Sequence, residues 1–196
     1  MYIRPIKINW HIIIDGGLRI VLRRPRTFLS GPVYEQPEKR RKEEKMLRDI
    51  VEQKHYKFAD RASDWREAIR MSCEVFEADR TVGTDYKEAI IRCVEEYGPY
   101  IVIMKDVAIP HSQECAEGVN KTAIAFMRLK EPVCFDPEDR EMDARLFFTL
   151  ASCNSSQHLA NMSRLSTLLM NERAVEALLK SENVEDLLEI HKQFFE

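Results

Sequence analysis

Two histidines 47 positions apart carry most of the chemistry available to this sequence. His111 closes the stretch Val107-Ala108-Ile109-Pro110-His111-Ser112, which follows the apolar run Tyr100-Ile101-Val102-Ile103-Met104. That run is short, β-branched and preceded by Gly98-Pro99, so it predicts a buried strand. The polar residues 113–118 then bring the chain to the surface. Pro110 fixes its own φ and pushes Ile109 into an extended conformation. His111 is therefore presented at a stiff position at the mouth of a sheet. Taken alone, such a histidine reads as an ordinary surface residue at a strand end.

The second histidine changes that reading. The apolar stretch 144–151 predicts a strand that runs into Ser152-Cys153-Asn154-Ser155-Ser156-Gln157-His158. The period then becomes helical, with Leu159, Met162, Leu165 and Leu169, so His158 falls in the first turn. A helix start offers unpaired N–H groups and the positive end of a dipole, which suits an anion. Asn154, Ser155 and Ser156 add polar groups, and Ser112 lies beside His111. Set opposite this cradle, a neutral imidazole at His111 could attack phosphorus while its other ring nitrogen is held by a hydrogen bond. His158 and the helix N–H groups would stabilise the phosphoryl oxygens. By itself His158 reads as a satisfied helix-start histidine; the pairing is what gives it a chemical role.

The elements that must position this pair follow from patterning. A helix is expected over Asp64 to Ala78, capped by Ser63, with Trp65, Ile69, Cys73 and Phe76 inward. A second is expected over Asp85 to Tyr97, capped by Thr84, with Tyr86, Ala89, Ile90, Cys93, Val94 and Tyr97 inward. Strands are expected at 100–104, 107–109, 122–129 and 144–151, with a short piece at Val133-Cys134-Phe135 and a turn at Asp136-Pro137-Glu138-Asp139. Three helices close the chain: Ser155–Met170, Glu172–Lys180 and Val184–Phe195, the last capped by Asn183 with Asp186. The order α-α-β-β-β-β-α-α-α predicts an α/β fold, a mixed β-sheet flanked by helices on both faces.

The first 45 residues belong to a different design. They carry a net charge of +6, mix Pro, Gly and Arg, and end in the run Glu38-Lys39-Arg40-Arg41-Lys42-Glu43-Glu44-Lys45. A strand pair around Asp15-Gly16-Gly17 is the regular element they suggest. They read as a poorly structured basic extension, a basic arm or a disordered tail. The charge run could also be encoded by a purine-rich ribosome-binding site, which makes Met46 the expected initiator and residues 47–196 the domain proper.

Residues 46–196 carry −9 of a total net charge of −3, which argues against nucleic acid and suits a basic protein partner. The five cysteines, Cys73, Cys93, Cys115, Cys134 and Cys153, show no CxxC spacing and read as reduced intracellular thiols. His111 and Cys115 have ligand-like spacing, but no second such pair accompanies them, so neither a metal nor a cofactor is expected. No apolar run approaches the roughly 20 residues of a membrane span, and a cytoplasmic protein is expected. His11, His55 and His191 are given no chemical role: His55 sits in a polar stretch, and His191, beside Lys192, is an ordinary cation near a helix C-terminus.

Several of these segments resemble one family. Gly98-Pro99-Tyr100-Ile101-Val102-Ile103, Val107-Ala108-Ile109-Pro110-His111, Gly118-Val119 with Lys121, and Leu129-Lys130-Glu131-Pro132-Val133 are similar to the EIIA domain of the bacterial sugar phosphotransferase system. The branch is the mannitol/fructose type, and the likeness is greatest to the ascorbate-type EIIA. It covers about residues 47–195, including Ala144-Arg145-Leu146 through His158-Leu159 and Val184-Glu185-Asp186-Leu187-Leu188. The resemblance implies that His111 is a tele-phosphohistidine intermediate, charged by phospho-HPr and discharged to a cysteine of an EIIB component. The EIIC permease is then an indirect partner. It also implies that His158 is the second active-site histidine. Relatives often carry Asp at the position of Asn154, and the mannitol branch places an arginine in the helix before the first strand, for which Arg92 is nearest. A regulatory EIIA-like protein, whose phosphorylation controls a partner, is the alternative reading, and a non-catalytic scaffold a further one.

Overall fold

A computed structural model describes residues 11–15, 19–23, 45–112 and 118–196. The glycines of the Asp15-Gly16-Gly17 turn, the charge run up to Glu44 and the stretch 113–117 with Cys115 lie outside the described residues. The chain divides into two compact units, residues 1–35 and 36–196. In the first, β1 (His11–Asp15) pairs antiparallel with β2 (Arg19–Arg23), His11 opposite Arg23 and Asp15 opposite Arg19, which is the expected strand pair.

The second unit holds α1 (Met46–Glu52), β3 (Tyr56–Ala59), α2 (Trp65–Ala78), α3 (Tyr86–Tyr97), β4 (Val102–Met104) and β5 (Asp106–Ala108). It continues with β6 (Ala123–Cys134), β7 (Asp143–Ala151), α4 (Ser155–Leu169), α5 (Glu172–Lys180) and α6 (Val184–Phe195). The sheet order is β3-β6-β7-β5-β4. β3 runs parallel to β6 and β5 parallel to β7, while the β6–β7 and β4–β5 pairs are antiparallel. The sheet is therefore mixed, as the sequence predicts.

Strand alternation divides the core into two layers. Ala123, Ala125, Met127 and Leu129 of β6 pack with Phe147 and the buried stripes of α2 and α3, Ile69, Cys73, Phe76, Ile90 and Val94. Ile124 and Phe126 of β6 pack on the other face with Leu146, Phe148 and Leu150 of β7, and with α1, α4, α5 and α6. Because both faces are covered, β6 and β7 read as almost continuous apolar runs. Each large side chain withdrawn fully from water, such as Phe126, Phe147 or Phe148 at 0–1 % exposure, contributes about 2 kcal/mol.

Several local expectations change. Asp64, not Ser63, caps α2: its carboxylate accepts from the Glu67 N–H at 2.8 Å, while the Ser63 N–H donates back to the Glu67 carboxylate. Asp85, not Thr84, sits at the start of α3, and no side-chain cap is made there. The buried stripe of α3 is Tyr86, Ile90, Ile91 and Val94; Tyr97 is 44 % exposed where the helix stops at Gly98, whose φ of +78° favours glycine. Val133-Cys134 is the end of β6 rather than a separate piece, because a register shift after Arg128 lets the strand rejoin β7 at Val133–Ala144. Tyr100 and Ile101 precede β4, and β5 ends at Ala108, so Ile109 lies just past the strand. Met170 is the C-cap of α4 rather than its last residue. The helices Glu172–Lys180 and Val184–Phe195 have the expected bounds, and Asn183 with Asp186 forms a full capping box. α1 and β3 are additions: seven residues are too few to show a helical period, and β3 is half-buried throughout, without alternation.

Candidate functional site

His111 follows β5 by three residues, and a set of hydrogen bonds fixes the chain that carries it. The Ile109 N–H donates to the Ile101 carbonyl at 2.7 Å, and the Leu150 N–H of β7 donates to the Pro110 carbonyl at 3.0 Å. The Tyr100 hydroxyl donates to the His111 carbonyl at 2.6 Å. The ring of His111 is tied as well, with Nδ1 2.7 Å from the Ile109 carbonyl. A carbonyl only accepts, so Nδ1 carries the proton, and in the neutral ring Nε2 carries the lone pair. Nε2 makes no hydrogen bond among the described residues.

Burial pushes the His111 imidazole down to about 4; the Ile109 bond opposes the shift and His158 adds to it. At neutral pH the ring is therefore uncharged and its free nitrogen nucleophilic. Ser112, next in the chain, is buried.

His158 arrives from the other side of the sheet end. β7 stops at Ala151, and Asn154 caps α4 by accepting from the Gln157 N–H at 3.0 Å and from the Ser156 hydroxyl at 2.7 Å. The carboxamide does here what a carboxylate would do at the same position: it closes the first turn. Thr122, just before β6, adds a strut, since its hydroxyl accepts from the Cys153 N–H at 3.0 Å and donates to the Gln157 side chain. The His158 N–H continues the helix to the Asn154 carbonyl at 3.0 Å, and its ring is partly exposed. Burial lowers its pKa too.

The two rings meet, with centroids 5.4 Å apart and planes inclined by 39°. Tyr100 closes the other flank of His111, edge to face at 5.3 Å. The N–H groups of Ser155 and Ser156 open the first turn of α4 and have no partner within the helix. A free imidazole nitrogen thus stands beside a second neutral imidazole and the N-terminus of a 15-residue helix. That arrangement can receive and hold a phosphoryl-sized anion.

Of the residues singled out in the sequence, His111, His158, Asn154, Ser155 and Ser156 come together around α4. Arg92 does not join them by contact: it is exposed on α3, where its charge acts on Glu88. Tyr100, Thr122 and Gln157 were missed. Tyr100 stood in plain view within an apolar run, but its hydroxyl bond spans 11 residues and has no sequence signal. Among the described residues, no group of three or more His, Cys, Asp or Glu could hold a metal ion, and no helix is long and apolar enough to cross a membrane.

A mixed, doubly covered sheet with paired imidazoles at one end could accommodate a phosphoryl-sized anion, and comparison with known proteins gives the class and the family. Residues 49–193 match the model of the phosphoenolpyruvate-dependent sugar phosphotransferase system, EIIA 2, and the chain belongs to that family. It is an EIIA component, a carrier of phosphoryl groups between proteins. The chain is 29 % identical over 146 residues to the ascorbate-specific PTS system EIIA component of Salmonella paratyphi A, covering 74 % of this chain and 94 % of that one. The solution structure of the mannitol-specific cryptic phosphotransferase enzyme IIA CmtB of Escherichia coli is 28 % identical with a TM-score of 0.66, covering 76 % of this chain and 99 % of that one. Enzyme IIA of mannitol in its complex with phosphorylated enzyme IIB, also from Escherichia coli, is 26 % identical with a TM-score of 0.61, covering 71 % and 94 %.

Proposed function

We propose that His111 is the phosphoryl acceptor of this EIIA component, taking its phosphoryl group from the phosphohistidine of HPr and passing it to a cysteine of an EIIB partner. The observation that carries this reading is the locked tautomer: Nδ1 is committed to the Ile109 carbonyl at 2.7 Å, which leaves the Nε2 lone pair beside His158. In the first transfer the Nε2 lone pair attacks phosphorus and the donor's P–N bond breaks. A donor ring protonated on its other nitrogen leaves as neutral imidazole. His111 becomes a phosphoimidazolium that keeps its Nδ1 proton, hydrogen-bonded to the Ile109 carbonyl. The carbonyl dipole then faces a positive ring, so the same bond that fixes the tautomer stabilises the intermediate.

His158 and the Ser155 and Ser156 N–H groups hold the phosphoryl oxygens as charge redistributes. In the second transfer a thiolate attacks phosphorus and the P–N bond electrons return to Nε2. The acidic body, at −9, favours encounter with a basic donor. The ascorbate-specific relatives support uptake of ascorbate or a related sugar, and the structure of a IIA–IIB complex among the neighbours supports an EIIB acceptor.

Incubation with 32P-labelled phospho-HPr tests the reading. Wild type should label at Nε2 of His111 and lose the label to EIIB; a His111→Ala protein that labels as well as wild type would refute it.

A further inference from the structure

Three consecutive carbonyls around the nucleophile are occupied: that of Ile109 by the His111 ring, that of Pro110 by the Leu150 N–H, and that of His111 by the Tyr100 hydroxyl. The first of these bonds is internal to the segment and the second comes from the neighbouring strand. The third is the one supplied by a side chain from elsewhere, and it holds the last backbone oxygen before residue 112. The same side chain lays its ring edge to face against the imidazole at 5.3 Å.

From this geometry we infer that Tyr100 is a positioning residue for the transfer, a clamp whose hydroxyl fixes the His111 backbone and whose ring fixes the rotation of the imidazole. The inference rests on the reading of His111 as the phosphoryl acceptor.

The phenol is well suited to a constant task. Burial raises its pKa above the ordinary value and the neighbouring Cys93 thiol adds to the effect, so the hydroxyl stays a donor throughout the working range. Cys93 is on α3, so the clamp is braced from the helix layer behind the sheet. A carrier must present one nitrogen in line first to a donor and then to an acceptor. Orientation must come from the protein itself, and displacement of about 1 Å costs as much as 100-fold in rate.

The test is Tyr100→Phe, which removes the hydroxyl and keeps the ring, with Tyr100→Leu as the variant that removes both. The first readout is the His111 tautomer from the 15N imidazole shifts of the native resonances, which needs no phosphoryl donor. Wild type should show a single form protonated at Nδ1, Tyr100→Phe a mixture of both tautomers, and Tyr100→Leu a fuller mixture. The second readout is labelling by 32P-phospho-HPr: kcat should fall about tenfold in Tyr100→Phe and further in Tyr100→Leu, with KM for the donor unchanged, since the lost interaction acts on orientation rather than encounter. A Tyr100→Phe protein with a single Nδ1 tautomer and wild-type kcat would overturn the clamp, even if its melting temperature fell. Failure of wild type itself to label would instead remove His111 as acceptor, while the tautomer experiment would still decide what Tyr100 does to the ring.

Discussion

Four histidines stand in the acidic body, and they form two contrasting pairs. His111 and His158 are partly exposed, and their rings face each other at 5.4 Å. His55 and His191 are 2 % and 4 % exposed, each with Nε2 against a carboxylate: His55 on Asp79 at 3.0 Å and His191 on Glu196 at 3.4 Å. His55 also packs edge to face on Phe76 at 4.9 Å. An imidazole whose Nε2 is already committed and whose ring is sealed in the core can stabilise but cannot be reached. In the other pair no carboxylate holds either ring among the described residues, and His111 is tied at Nδ1 through the Ile109 carbonyl, so its Nε2 is left over. What separates a structural histidine from a candidate nucleophile here is which nitrogen is taken, and by what.

The contrast breaks most sharply under substitution. His111→Ala should abolish labelling by phospho-HPr altogether, with little change in urea denaturation at neutral pH because the ring is partly exposed and its hydrogen bond lies within its own segment. His158→Ala should lower the labelling rate by about 100-fold, the scale of one lost oxyanion donor, while leaving the melting temperature in place; a loss of several kcal/mol of stability would make His158 a core residue and erase the distinction. His55→Ala should do the reverse, costing about 3 kcal/mol in chemical denaturation for a buried aromatic ring and leaving the labelling rate of the folded protein unchanged. Asn154→Ala should cost about 1 kcal/mol, the value of an N-cap, with a modest drop in rate as the first turn of α4 frays.

Acid sharpens the same comparison. With its pKa lowered from 6.5 to about 4, His111 stays neutral well below physiological pH. Labelling measured as a function of pH should be flat down to about pH 5 and fall below it as Nε2 takes up a proton. The linkage has a definite sign. The unfolded chain binds this proton first, so the folded state is fully favoured above 6.5 and loses that advantage as pH falls from 6.5 toward 4. Replacing His111 with Gln should flatten that part of the stability curve.

The two pairs also differ in how much of them the sequence reveals. Pro110 before His111 and the change of apolar period at His158 are local signals, and both histidines were legible from them. His55 looked like part of a polar stretch because its partners are distant: Asp79 is 24 positions away, and Phe76 lies on another element. His191 carries a local signal of its burial. Leu187, Ile190 and His191 share the inner stripe of α6, so helical spacing alone placed that histidine inward. The cap of α2 moved from Ser63 to Asp64 because both can accept an N–H, and only the backbone decides which one turns first.

The sequence by itself determined the α/β order from α2 onward, the bounds of the last two helices, and the two histidines with the helix start that serves them. These rest on short-range rules of period, capping and proline geometry, which act within a few residues of one another. Tertiary structure alone decided that the 46 intervening residues close to bring the rings within 5.4 Å, that the Ile109 carbonyl accepts the hydrogen bond from Nδ1, and that Tyr100 holds the His111 carbonyl. Those choices depend on the register of β5 against β7 and on which hydroxyl reaches which oxygen across it, and a register slip of one residue would send every side chain of the strand to the other face.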